Sequence, residues 1–405
     1  SASSENLLIS EIMYHPRDGQ ASEQAVGYFH EDLFEFIELT NVSDQTMYIG
    51  DVEFTNGIRF AFNESTIQTL EPGGRVAIVS DKGAFARRYG NDLPMAGEYV
   101  GQLSNGGETI TLQRGEEILH SFAYNDRAPW PTTPDDYGFS LTLANPAPGV
   151  DISNVDQWTV DSSAAGGSPG SPGETPPAVV VNEVLANSGP DSSDAIELYN
   201  ASDAEVDLSG WWLTDDANQP MKFSIPAGTV LPAGGYLVFR QDNDNDPTNN
   251  TDLPAEFFGS QFGLSSTGDS VQLFSATPDG VLTGYRDGFS FGDTDEGTTV
   301  GRLVTTDNDT QDVIQESPTL GSANAGPALS PIVITEIMYN PTAADGEYVE
   351  ISNRTDTAVA LFDTANPENV WRITGIDFEF PTGTMMEPGA VALIVGTDPT
   401  AFRTA

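Results

Sequence analysis

The 405-residue sequence contains no cysteine, few basic residues and no long apolar run. Without cysteine, no disulfide can cross-link the chain, and neither a thiolate nucleophile nor a thiolate metal ligand is available. Fifteen basic residues stand against 61 acidic ones, so the formal net charge is −46. We therefore expect no nucleic-acid partner, because it would meet a like charge without a compensating basic patch. We expect no membrane insertion, because no apolar run approaches the roughly 18 residues that span a bilayer.

What the chain does contain is an internal repeat. Three short phrases recur in the same order in three copies, which is the signature of an array of similar units. The phrases occupy residues 8–16, 36–41 and 70–79 in copy one, 179–185, 195–200 and 231–239 in copy two, and 334–341, 348–353 and 386–395 in copy three.

The first two phrases of every copy each carry one glutamate. The glutamates are 14 residues apart in copies two and three but 27 apart in copy one, which predicts an insertion of 13 residues between positions 16 and 34. We interpret this insertion as a longer loop. The three pairs are Glu11 with Glu38, Glu183 with Glu197, and Glu336 with Glu350.

The apolar stretches are short, rich in Val, Ile, Phe and Thr, and bounded by turn residues, which predicts strands and few helices. Strict alternation at 109–112 and 270–273 indicates strands with one inward face, so two sheets packed on their apolar faces would satisfy the pattern. One short helix is predicted after Asp81, which can cap it, with Gly90 able to end it. Residues 398–403 occupy the equivalent place in copy three.

The stretches 164–177 and 317–327 are rich in Gly, Ser, Pro and Ala and are interpreted as linkers. They predict domains at residues 1–173, 178–326 and 331–405. The third domain is the N-terminal part only, because it stops before the later phrases that copies one and two share. We expect either that the native chain continues beyond Ala405 or that strands from another molecule complete this sandwich.

Several motifs together resemble the lamin tail domain family. They are the E-I-M-Y-x-P opening, the F-I-E-L-x-N strand, the Pro-Gly-Gly turn, the G-x-L-S-x-x-G-E strand and the Trp130-Pro131 element, although copy two has Arg286-Asp287-Gly288-Phe289 in the place of the last. The family is an immunoglobulin-like β-sandwich found at the end of nuclear lamins and in tandem in secreted proteins of bacteria and archaea. The resemblance implies an all-β fold of tandem immunoglobulin-like β-sandwich domains, two complete and one incomplete. It implies no enzyme, because the family has no catalytic residues to carry over.

The paired glutamates have two interpretations. Carboxylates on adjoining strands could bind a cation or share a proton. Alternatively, each accepts hydrogen bonds from backbone N–H groups or arginine at the edge of the core, which recurrence without a histidine partner favours. In copy one, strand alternation predicts that Ile9, Glu11 and Met13 share one side.

The densest acidic run, 241–252, offers oxygen ligands at alternating positions, which predicts a Ca²⁺ site at Asp242, Asp244 and Asp246. A solvated acidic loop is the alternative. The run is not an EF-hand, because proline stands at its sixth position and leucine at its twelfth.

Other candidate chemistry is sparse. The five tryptophans could stack on sugars, but most are expected in the core. The three histidines, His15, His30 and His120, lack metal-ligand spacing and no hydrolase elbow is present.

The sequence therefore predicts a non-enzymatic structural, spacer or adhesive array of an extracellular or cell-surface protein. Repetition favours this hypothesis, since a stalk needs several similar units and an enzyme needs one site. Accessory domains of a larger secreted enzyme and a carbohydrate-binding module are the alternatives. The expected partners are other protein chains or surface polymers, with self-assembly through the incomplete third domain.

Overall fold

The computed structural model describes residues 1–162, 166–189, 192–241, 261–306, 309–341 and 346–402. The chain forms two compact units, residues 1–326 and 327–405. The larger unit holds repeats one and two, whose strands form separate sheets. The smaller unit is repeat three. The finer boundaries at 173, 178 and 331 stay predictions.

Repeat one is a sandwich of two sheets, and its strands follow the short β-branched and aromatic runs of the sequence. The strands are β1 (Leu7–Met13), β2 (Phe36–Asn41), β3 (Met47–Tyr48), β4 (Val52–Asn56), β5 (Ile58–Ala61), β6 (Thr69–Leu70), β7 (Arg75–Val79), β8 (Met95–Glu98), β9 (Val100–Gly101), β10 (Glu108–Arg114), β11 (Glu117–Tyr124), β12 (Leu141–Leu143) and β13 (Trp158–Val160). One sheet has the order β13-β12-β1-β2-β7-β8 and the other β11-β10-β4-β5-β9, with β3 and β6 as a separate pair. Neighbours are antiparallel except β7 and β8.

Repeat two has the same plan. Its strands are β14 (Val179–Leu185), β15 (Ala195–Asn200), β16 (Val206–Asp207), β17 (Trp212–Thr214), β18 (Phe223–Ser224), β19 (Val230–Leu231), β20 (Tyr236–Arg240), β21 (Asp269–Ala276), β22 (Leu282–Phe291), β23 (Thr299–Val304) and β24 (Thr310–Ile314). The first sheet has the order β20-β15-β14-β23-β24 and the second β18-β17-β21-β22, with β16 and β19 as a pair. Strand β14 therefore lies between two neighbours, as β1 does in repeat one.

The described residues of repeat three form only part of this plan. Its strands are β25 (Ile332–Met338), β26 (Tyr348–Asn353), β27 (Val359–Ala360), β28 (Arg372–Ile373), β29 (Phe378–Glu379), β30 (Met385–Met386) and β31 (Val391–Val395). They form a three-stranded sheet, β25-β26-β31, and the pairs β27-β30 and β28-β29. Within the residues that the structure describes, β25 is consequently an edge strand.

Helices are few and short. They are α1 (Ala21–Gln24), α2 (Lys82–Tyr89), α3 (Thr133–Tyr137) and α4 (Pro399–Phe402), with 3₁₀ turns at Glu31–Phe34, Phe62–Glu64 and Val155–Gln157. Helix α2 confirms the capping prediction, because Asp81 Oδ1 accepts a hydrogen bond from the Ala84 N–H at 2.8 Å. None of the described helices is both long and apolar enough to cross a membrane.

Each complete repeat has its own apolar core between its two sheets. Tyr14, Phe54 and Ile110 are buried in repeat one, and Leu213 and Val271 in repeat two. This agrees with two sheets that pack on their apolar faces, the arrangement of an all-β sandwich. A second cluster lies on the outer face of the first sheet of repeat one, where α2 covers it.

A β-bulge interrupts the first strand of every repeat at the same place. The pairing register shifts between Ile9 and Glu11 in repeat one and at the matching positions of the other two. Ile9 packs in the sandwich core, whereas Met13 packs on the outer face beside Phe36. The prediction that Ile9, Glu11 and Met13 share one side is therefore wrong, because the extra residue of a bulge reverses the alternation.

Candidate functional site: the glutamate pairs and their closing segments

The two glutamates of each repeat lie opposite each other on the first two strands. Glu11 pairs with Glu38, and the register is the same in the other two repeats. In repeats one and two all four side chains are at most 1% exposed. The Glu11 carboxylate lies beside Met13 and Phe36, under the backbone of Gly167. The site is thus on the outer face of the sheet, away from the sandwich core.

In repeat one the pair accepts hydrogen bonds from a chain segment that follows the last strand. The Ser168 N–H donates to Glu11 Oε1 at 2.8 Å, and the Gly170 N–H donates to Glu38 Oε2 at 2.5 Å. The Ser140 hydroxyl, just before β12, donates to the same Glu11 oxygen at 2.6 Å. The two carboxylates therefore hold both the start of β12 and the segment beyond β13.

Repeat two contains the same arrangement with different residues. The Thr299 hydroxyl donates to Glu183 Oε1 at 2.5 Å, and the Thr319 N–H donates to that oxygen at 2.8 Å. The Thr319 hydroxyl adds a bond to Glu183 Oε2 at 2.8 Å. The Gly321 N–H donates to Glu197 Oε2. The two repeats thus share one hydrogen-bonding geometry.

The second glutamate of each pair is also held by its own sheet. The hydroxyl of Ser10, at the bulge, donates to Glu38 Oε1 at 2.7 Å, and Arg75 donates to the same oxygen at 2.5 Å. In repeat two the bulge residue Asn182 donates to Glu197 Oε1 at 2.7 Å. The bulge thereby aims a short polar side chain at the buried carboxylate.

The far ends of these segments are fixed by matching bonds. The Glu174 N–H donates to Asp161 Oδ1 at 3.2 Å, and the Gly326 N–H donates to Gln315 Oε1 at 2.9 Å. We call residues 168–174 and 319–326 the closing segments. The prediction that both stretches are plain linkers is wrong for these residues, because their backbone is bonded to buried side chains of the sheet.

Sequence analysis missed the closing segments although a signal was present. Both begin with the pattern Ser/Thr-x-Gly-Ser, at 168–171 and 319–322. The glycines have positive φ, 88° at Gly170 and 93° at Gly321, which residues with a side chain rarely adopt. Aligning the two linkers with each other would have revealed the shared motif.

Burial sets the protonation of these carboxyls. It raises the pKa of Glu11 well above its usual value, with a further increase from the Glu38 charge. Burial also raises the pKa of Glu197 to about 7, although hydrogen bonds from Gly321 and Asn182 act in the opposite direction. The bonds to backbone N–H groups and to Arg75 confirm the hydrogen-bonding interpretation of the pairs. The raised pKa values are what two adjacent buried carboxyls should have.

The pair of repeat three differs because it is not covered by described residues. Glu336 is exposed and Glu350 is half-buried. The Thr335 hydroxyl, at the bulge, donates to Glu350 Oε1 at 2.6 Å, as Ser10 does to Glu38 in repeat one. The Tyr348 hydroxyl donates to Glu336 Oε1 at 2.6 Å.

The predicted calcium ligands Asp242, Asp244 and Asp246 lie outside the described residues. Elsewhere in the described part of the chain, no group of three or more acidic or histidine side chains could hold a metal ion. His15 Nδ1 is 2.6 Å from Asp135 Oδ1, and His120 Nε2 is 2.8 Å from the Leu7 carbonyl. These histidines therefore contact separate parts of repeat one.

The sheets, the core and the recurring glutamate pairs define an array of immunoglobulin-like β-sandwiches. The family model for the lamin tail domain matches residues 1–126 and 172–293, more than half of the chain. The chain therefore belongs to the lamin tail domain family. Comparison with curated proteins gives no significant match. Strands β12 and β23, which pair with β1 and β14 on the side away from β2 and β15, are called the closing strands, and both lie outside the matched residues.

Proposed function

We propose that this chain is a non-enzymatic structural spacer of an extracellular or cell-surface protein, in which repeats one and two hold a fixed mutual orientation. The observation that carries the proposal is a packed junction between these two sandwiches within the first compact unit. A spacer transmits position and force, so it needs domains that resist bending against each other. The net charge of −46 would keep such arrays apart from one another.

Helix α3 of repeat one makes the polar part of this junction. The Thr133 hydroxyl is buried and donates to the Gly284 carbonyl of repeat two at 2.5 Å. The Tyr137 hydroxyl donates to the Ala217 carbonyl. Because both donors lie on one short helix, α3 is the element of repeat one that forms hydrogen bonds to the backbone of repeat two.

An apolar cluster packs against α3 at the same junction. Phe139 and Val160 of repeat one pack with Phe274 and Leu282 of repeat two, and all four are buried. The Tyr137 ring meets the Phe274 ring edge-on, with centroids 5.5 Å apart. A buried aromatic cluster of this kind stabilises an interface more than scattered polar contacts do.

The tryptophans give less support to the carbohydrate-binding alternative. Trp158 and Trp211 are at most 5% exposed, and the Trp130 ring centroid lies 5.9 Å from that of the Trp158 ring in a tilted arrangement. Trp212 is half-buried and donates to the Gly280 carbonyl. Trp371 is the most open of the five, at 40% exposed. An aromatic platform for sugar rings would need several such side chains on one face.

The test substitutes Gly284, where an added side chain would clash with repeat one across the junction. A Cβ at this position would lie 2.2 Å from the Asp161 carbonyl oxygen of repeat one, so Gly284→Ala must push the sandwiches apart. Gly292→Ala is the matched control, because no atom lies within 4 Å of its added Cβ. The chain has no native cysteine, so spin labels can be placed at Glu64→Cys and Ala227→Cys without background.

Pulsed electron spin resonance then measures the distance between repeats one and two. We expect a narrow distance distribution in the parent chain and in Gly292→Ala, and a broad one in Gly284→Ala. A distance distribution in the parent chain as broad as that of Gly284→Ala would mean that the repeats move freely, and the spacer proposal would fail.

A further inference from the structure

The edge strand of repeat three presents the surface that closing strands cover in the other two repeats. In repeat one β1 is flanked by β2 and β12, and in repeat two β14 is flanked by β15 and β23. In repeat three β25 has only β26 beside it among the described strands. Its second row of backbone N–H and C=O groups is therefore available for pairing.

The side chains at this edge are those of a buried strand. Ile12 of β1 is fully buried, whereas Ile337 at the same register position of β25 is 58% exposed. Ile334 is 53% exposed, although its counterpart Ile9 is fully buried. A groove of about 430 Å³ runs between Ile337, Phe378 and neighbouring residues. Exposed apolar area next to an unpaired strand edge is a typical protein-docking surface.

The two closed repeats specify what chemistry fits this surface. Each has the motif Gly-x-Ser/Thr-aliphatic at the start of its closing strand, at 138–141 and 297–300, and the hydroxyl of this motif bonds to the first glutamate. The aliphatic residue that follows, Leu141 or Val300, packs in the sandwich core. Each then supplies a closing segment, Ser/Thr-x-Gly-Ser, whose two N–H groups bond to the two glutamates.

Repeat three already has the receiving half of that site. Glu336 and Glu350 are opposite each other in the same register as the other pairs. Thr335 at the bulge orients Glu350 as Ser10 orients Glu38. We propose that the β25 edge and the Glu336–Glu350 pair form a docking site for a polypeptide that carries a Gly-x-Ser/Thr-aliphatic strand followed by a Ser/Thr-x-Gly-Ser turn. The strand extends the sheet, and the turn gives its N–H groups to the carboxylates.

The probe for this site is a synthetic peptide with the sequence of residues 296–326, which contains both elements of repeat two. It is labelled with a fluorophore at its N-terminus and titrated with the 405-residue chain while anisotropy is recorded. We expect saturable binding. Glu336→Gln should weaken binding about tenfold or more, because it replaces one of the two acceptor oxygens that the hydroxyl and N–H donors of the peptide need with an amide NH₂ donor. Glu368→Gln, an exposed glutamate elsewhere in this repeat, should leave it unchanged.

A second peptide tests the other side of the contact. Replacing Thr299 and Thr319 by valine in the peptide keeps its shape and removes the hydroxyls, and should also weaken binding about tenfold. Because Glu336 is exposed, its variant should melt at the parent temperature, which circular dichroism checks. No binding, or binding indifferent to Glu336→Gln and to both hydroxyls, would overturn the proposal. Sedimentation showing that chains pair through this edge without peptide would overturn the assigned occupant.

Discussion

Repeats two and three share their first three phrases, yet repeat two buries its glutamate pair, whereas in repeat three Glu336 is exposed and Glu350 is half-buried. The difference lies in one strand and one turn. In repeat two β23 and the segment 319–326 supply hydrogen-bond donors to Glu183 and Glu197, whereas within the described residues no strand or segment of this kind covers Glu336. The carboxylates thus do not by themselves define the site. Their burial depends on polar groups from residues that come last in each complete repeat.

Repeat two shows how a sandwich tolerates two adjacent buried carboxyl groups. Removing a carboxylate from water costs several kcal/mol unless hydrogen bonds replace its hydration. Repeat two replaces it with three bonds on Glu183 and two on Glu197. The bonds are specific to one chain path, so the pair selects the position of the closing segment.

The largest expected contrast comes from Ile12 and Ile337, which occupy one register position in repeats one and three. Ile12→Ala should cost about 3–4 kcal/mol of stability, because it leaves a cavity in a closed core. Ile337→Ala should cost less than about 0.5 kcal/mol, because the side chain is mostly exposed. Hydrogen exchange of β1 and β25, resolved by mass spectrometry in the full chain, measures both. Equal losses would show that repeat three is as closed as repeat one.

A slightly smaller contrast is expected between Glu183 and Glu336. Glu183→Ala should cost about 3 kcal/mol, because it leaves the Thr299 hydroxyl and the Thr319 donors without their acceptor. The segment 319–326 should then become a site for thermolysin at the bond before Leu320. Glu336→Ala should change neither stability nor cleavage of that segment. A closing segment that stays resistant in Glu183→Ala would mean that other contacts hold it.

The raised pKa of Glu197 predicts a pH effect on stability of up to about 3 kcal/mol. Its folded pKa is about 7, above the usual value of 4.5, so the folded state binds more protons between these values. Stability from this group is complete below about pH 4.5 and is lost as pH rises towards 7. Glu197→Gln imitates the protonated form and should lose less stability over this range. The melting temperatures of the parent chain and of Glu197→Gln are measured as a function of pH. Their difference removes the contribution from repulsion across the acidic surface, which both proteins share. A difference that stays constant with pH would contradict the prediction.

The smallest contrast concerns the caps of two matching helices. Asp81→Ala should cost about 1 kcal/mol, because Asp81 caps the eight-residue α2 and the helix covers a buried cluster. Asp398→Ala, before the four-residue α4, should cost less than about 0.5 kcal/mol. Thermal unfolding of both variants is the measurement. An effect at Asp398 as large as at Asp81 would show that α4 contributes more packing than its length suggests.

The sandwich, the short helix and the hydrogen-bonded glutamates could be predicted from the sequence because they depend on local patterns that recur. The bulge could not, because the apolar alternation around Ser10, Asn182 and Thr335 gives no sign of an extra residue. The closing segments could not, because their composition is that of a flexible linker. Their bonding partners are far away: Ser168 donates to a residue 157 positions earlier.

The junction between repeats one and two was missed for a related reason. Phe139 and Phe274 each belong to an apolar stretch that a single repeat could bury by itself. A sequence pattern shows that such residues are buried but does not show against which domain. Nothing in the sequence shows why residue 284 is glycine, since the reason is the close approach of Val160 and Asp161 from repeat one.

The position of the closing segment at the end of each repeat has a consequence for synthesis. A ribosome delivers Glu11 and Glu38 more than a hundred residues before Ser168 and Gly170, so the nascent sheet must keep its acids hydrated in the meantime. At about 5–20 residues per second this interval lasts several seconds or more. The buried glutamates of repeat one can gain all their hydrogen bonds only when the closing segment 168–174 emerges. By then translation of repeat two has just begun. Repeat one is therefore finished before repeat two offers competing strands.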